Sequence, residues 1–112
     1  MQAGRFSDGL NALTPTLGAE MHRLKGELLL RQDSSNAAKA QICFERAIEI
    51  ARKQSAKSWE LRATMSLARL LAKQGRRDEA RAMLAEIYGW FTEGFDTRDL
   101  KDAKALLDEL AN

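Results

Sequence analysis

Laid over itself at a shift of 40 residues, the chain sets Ala40 on Ala80, Cys43 on Met83, Phe44 on Leu84 and Ala47 on Ile87. At a shift of 42, Gly26 falls on Ala68, Leu28 on Leu70 and Leu29 on Leu71. Small and apolar residues in both copies recur three and four apart, which is the period of one helix face and not the alternation of a strand. A chain built this way repeats a pair of amphipathic helices, and such pairs bury their apolar faces only by stacking on one another. The spacing predicts an all-α protein.

Punctuation along the chain agrees. From Ala19, "AEMHRLKGELLLRQ" places Met21, Leu24 and Leu28 at helical spacing to about Gln32, and the polar "DSSN" that follows supplies turn and N-cap chemistry. In "AAKAQICFERAIEIARKQ" the residues Ala40, Cys43, Phe44, Ala47, Ile48 and Ala51 share one face and charged residues the other. A third helix, "KSWELRATMSLARLLAKQ", stops at Gly75, which tolerates the left-handed conformation of a helix end. A fourth starts near Asp78 and turns Ala80, Met83, Leu84, Ile87 and Phe91 inward. After a loop at Thr92 to Thr97, "RDLKDAKALLDEL" aligns Leu100, Ala103, Leu107 and Leu110. Residues 1–18 differ, because Gly4, Gly9, Pro15 and Gly18 interrupt the stripe of Phe6, Leu10, Leu13 and Leu17.

In the second copy, Ala68, Leu71, Gly75, Ala80, Leu84 and Ile87 stand at the intervals of a tetratricopeptide repeat, and the chain resembles that family. The first copy matches through Gly26, Leu29, Ala40, Phe44 and Ala47, with two extra residues in its turn. Neither copy carries the aromatic or proline usual at the ends of the pattern. The resemblance implies a right-handed stack of antiparallel helix pairs, an α-α superhelix. Repeat 1 would cover about 19–54 and repeat 2 about 57–92, followed by a capping helix at about 98–111. The irregular segment 1–18 would precede them.

Over about residues 19–110 the chain is also similar to the C-terminal tetratricopeptide-like region of large bacterial regulators. Those proteins join an adenylate or guanylate cyclase domain, or a DNA-binding domain, to a signal-transduction ATPase and a tetratricopeptide array. "YGWFTEGFDT" followed by "LKDAKALLDEL" is the most distinctive part of the likeness. It implies the tail piece of such a regulator, with no cyclase or ATPase activity of its own. No GxxxxGK[ST] phosphate loop occurs, and an all-helical chain lacks the sheet that presents a cyclase's metal-binding aspartates.

Composition narrows function further. At 112 residues one domain fits, 45% hydrophobic and 30% charged. Eighteen basic against 16 acidic side chains leave a net charge of +2, too weak a field to gather nucleic acid or anionic lipid. Cys43 has no second cysteine to pair with, and "MQAGRFSDGL" lacks the apolar core of a secretory signal. No apolar run approaches the roughly 20 residues that span a bilayer, so a cytoplasmic protein is expected. Its one histidine, His22, cannot build a His-based metal site in a monomer, and no cofactor is expected. Cys43 on an apolar face reads as core. Acidic residues lie at solvent-facing positions, so no catalytic carboxylate pair is expected.

Arg69, Lys73, Arg76, Arg77 and Arg81 invite a helix-turn-helix reading, but Asp78 and Glu79 in the first turn of the would-be recognition helix would repel phosphates. The expected function is a non-catalytic protein-interaction or regulatory module. It would take a protein or peptide on the concave face through His22, Lys25, Arg62, Ser66 and Arg69. The alternatives are a cyclase or ATPase fragment and a weak DNA-binding regulator. Repeat packing would rest on Gly26, Leu29, Ala40, Phe44, Ala47, Ala68, Leu71, Ala80, Leu84 and Ile87. Trp90, Phe91, Phe95, Leu100 and Leu107 would close the cap. Apolar surface at Met21, Leu24 and Leu28 would be covered in a parent protein or by self-association.

Overall fold

The computed structural model describes residues 18–111, so the expectation of an irregular segment over 1–18 lies outside the described residues except at Gly18, which is already helical. Among the described residues there is no strand. Within these residues five α-helices follow one another: α1 (18–32), α2 (Ala37–Lys53), α3 (Lys57–Lys73), α4 (Arg77–Tyr88) and α5 (Arg98–Ala111). A single 3-10 turn, Ser34–Asn36, leads into α2.

The ends of these helices follow from local chemistry. The Asp33 carboxylate accepts from the Ser35 amide at 2.9 Å, and this bond holds its pKa below the ordinary carboxylate range. Asn36 does not cap α2 with its side chain; its amide donates instead to the Leu29 carbonyl at 2.9 Å, serving the exposed end of α1. The turns after α2 and α3 share one hydrogen-bond pattern. Ala56 N–H bonds Ala51 C=O at 2.9 Å, and Arg76 N–H bonds Leu71 C=O at 2.8 Å. This six-to-one bond needs a left-handed residue just past the helix. Gly75 provides it at φ 81°, as expected, whereas the earlier turn places Ser55 there at φ 54°.

Packing centres on α3, which touches α2, α4 and α5 and buries ten of its seventeen residues. The buried residues of α2 are Ala40, Cys43, Phe44, Ala47, Ile48 and Ala51, the six that share its apolar face in the sequence. Helix α1 closes on α2 through Gly26: a Cβ built there would lie 2.5 Å from Cε1 of Phe44, whose ring is fully buried. Glycine is therefore required by space, not by backbone angle. In α5 the sequence stripe needs one correction. Leu100, Ala103, Leu106 and Leu110 are buried, while Leu107 is half-buried. Because α5 touches both α3 and α4, its contact is wider than a single stripe and is centred nearer Leu106.

Candidate functional site

Three helices contribute a layer of ion pairs. On α1, Arg23 donates to both oxygens of Glu20, at 2.8 and 2.7 Å, and this bidentate bond raises the Arg23 pKa above its ordinary value. Arg62 of α3 lies 3.5 Å from Glu20 and donates to Asp99 of α5 at 3.0 Å, with its guanidinium also 5.2 Å from the centre of the Trp59 ring. The Ser66 hydroxyl donates to Glu27 of α1 at 3.3 Å. These bonds tie α1, α3 and α5 together along one side of the molecule.

Next to this layer a groove of about 710 Å³ opens between the C-terminal halves of the same three helices. Leu30, Leu70, Leu106 and Leu110 give it apolar walls, and Arg69, Lys73 and Arg77 outnumber Glu27 and Glu109 among its charged residues. Arg69 and Lys73 have no ion-pair partner among the described residues, and Arg77 donates to the Glu109 carbonyl at 2.6 Å. A concave apolar surface with a few convergent polar groups is what a bound peptide or ligand requires.

The five residues expected to contact a partner are separated by this geometry. Arg69 lines the groove. Ser66 also borders it but is only 2% exposed and already hydrogen-bonded, so it supports the wall and offers little to a ligand. Arg62 is occupied by Glu20 and Asp99. His22 and Lys25 lie on α1, Lys25 exposed and His22 half-buried, and neither lines the groove. The groove's Lys73 and Arg77 were visible in the sequence only as a basic cluster. Nothing in the spacing showed that α5 would run beside them.

The aromatic stretch divides likewise. Phe91 is half-buried against the core and Leu100 is buried, but Trp90 is 57% exposed and Phe95 is exposed too. Trp90 meets Phe91 edge-on at 5.1 Å, and Lys57 Nζ sits 5.5 Å from the centre of a Trp90 ring. Phe95 rests on Tyr88 at 5.7 Å. Phe91 and Leu100 join the core near the end of α4 at Tyr88, and Trp90 does not. Trp90 stands between cavities of about 340 and 410 Å³. The smaller one contains Glu60, a correction to the reading that acidic residues face solvent. Glu60 is 4% exposed and held by Arg52 at 2.9 Å and Lys57 at 3.4 Å, a clamp across the α2–α3 turn.

Among the described residues no three His, Cys, Asp or Glu side chains gather as a metal site, and no helix is long and apolar enough to cross a membrane. Fold and surface together define an all-helical protein with an open groove. Compared with protein-family models, curated proteins and solved structures, the chain matches none of them.

Proposed function

We propose that the chain is a non-catalytic protein-interaction module of tetratricopeptide-like antiparallel helix pairs, which takes a partner segment in the groove between α1, α3 and α5. The observation that carries this reading is the groove itself, with its four leucines and the charges of Arg69 and Lys73, which have no ion-pair partner among the described residues. Support for the pairing comes from the close approach of Gly26 to Phe44 and from the two matching chain-reversing turns at Ser55 and Gly75. On this reading the chain is the interaction tail of a cytoplasmic regulator, and any cyclase or ATPase chemistry belongs to other domains of a parent protein.

The test is a displayed peptide library panned on the folded chain, followed by amide-shift mapping. Selected peptides should shift amides around Leu70 and Leu106. The pair Arg69→Glu and Lys73→Glu, both at exposed positions, should weaken them about tenfold or more while leaving thermal melting almost unchanged. Enrichment of nothing, or peptides indifferent to both substitutions, would defeat the proposal. Nucleotide turnover by the purified chain would favour the enzyme-fragment reading instead.

A further inference from the structure

The internal repeat allows one surface to be read against another. Met21, Leu24 and Leu28 of α1 correspond, 42 residues on, to Ala63, Ser66 and Leu70 of α3. In α3 these positions are 1%, 2% and 4% exposed, because neighbouring helices surround it. In α1 they are 66%, 47% and 58% exposed. The face of the first copy that corresponds to a covered face of the second is open. It is separate from the groove, which none of the three residues lines.

Charge indicates what would cover it. At 100° per residue, Lys25 falls on one border of the Met21, Leu24, Leu28 stripe and Arg31 on the other. Both are exposed, and neither has an ion-pair partner among the described residues. On the Arg31 side the stripe also runs beside Glu20, which holds Arg23 and Arg62, and Glu27, which accepts from Ser66 and lies 3.9 Å from Arg23. Among the described residues, the charges bordering the stripe that have no ion-pair partner are therefore Lys25 and Arg31. A second copy laid antiparallel on α1 would set the Lys25 border against itself, and the leucine face of α5 is already buried in its own chain.

We infer that the α1 face docks an amphipathic helix of another protein, with large apolar residues three and four apart and Asp or Glu along both borders. Such a helix would lie on α1 as neighbouring helices lie on α3. This does not depend on the groove reading.

The test uses two helical peptides of roughly 18 residues, long enough to hold helical structure. They share one leucine stripe and are flanked by glutamates in one case and lysines in the other. Each is titrated into the full chain by calorimetry, with sedimentation at the same concentrations. The acidic peptide should bind about tenfold tighter than the basic one, the combined worth of several exposed ion pairs changed from repulsive to attractive. Lys25→Glu with Arg31→Glu should invert that preference. Leu24→Glu with Leu28→Glu, at exposed positions, should abolish binding of the acidic peptide without shifting the melting curve. Groove-selected peptides should still bind this last variant, so failure here leaves the groove reading standing. Absence of binding by the acidic peptide, or equal affinity for both peptides, overturns the inference. A dimer that Leu24→Glu with Leu28→Glu dissolves would also overturn it, since the occupant would then be a second copy.

Discussion

The two copies of the repeat fill one slot in different ways. In the first, Gly26 of α1 meets Phe44 of α2, and the ring takes the space where a Cβ would stand. In the second, Ala68 of α3 and Leu84 of α4 hold the matching positions, each fully buried. The pairs differ in opposite directions, glycine with phenylalanine in one copy and alanine with leucine in the other.

Phe44→Ala and Leu84→Ala test this comparison most severely. Truncation removes buried apolar surface and leaves a cavity in each slot, at about 3–5 kcal/mol for Phe44 and about 2–5 kcal/mol for Leu84. Chemical denaturation followed by circular dichroism should find both large; an unaltered midpoint for either would mean that the slots are not equivalent. A sharper test transfers one solution into the other copy. Gly26→Ala alone should destabilise by about 1–2 kcal/mol, because crowding against Phe44 outweighs the gain in helix propensity. Adding Phe44→Leu should relieve the crowding and make the pair less harmful than the sum of its parts. Strict additivity would show that the ring is free to move aside.

The smallest effect concerns the two turns. Ser55 bears at φ 54° the left-handed strain that Gly75 avoids. Ser55→Gly should raise stability by about 0.5–1 kcal/mol, a net gain after the added freedom of the unfolded chain is subtracted. A lowered melting temperature would show that the Ser55 side chain contributes more than its backbone angle costs.

How far the sequence could be read varied with how local the signal was. All six buried residues of α2 follow from period and composition, since one face of that helix is apolar and the other charged. Gly26 stood out as a point of contact because its partner in the repeat is another small residue. Leu106 was passed over, and Glu60 and Trp90 were misjudged, for a shared reason. Each depends on a neighbouring element or on the point where a helix stops. Leu106 is buried because α5 meets two helices, and Glu60 because Arg52 reaches back from α2. Trp90 is exposed just past the end of α4, while its neighbour Phe91 takes the place against the core.

The amino-acid order alone settled that the described chain is helical, where most of its helices turn, and which face of α2 is covered, because backbone propensity and a 3.6-residue period act over a few neighbours. Only tertiary packing decided that α1, α3 and α5 would enclose a groove, that Arg62 would be held by two carboxylates, and that Met21, Leu24 and Leu28 would stay open while their counterparts in α3 are covered. Those outcomes depend on which helices come to lie side by side, and a side chain's burial is a property of that neighbourhood.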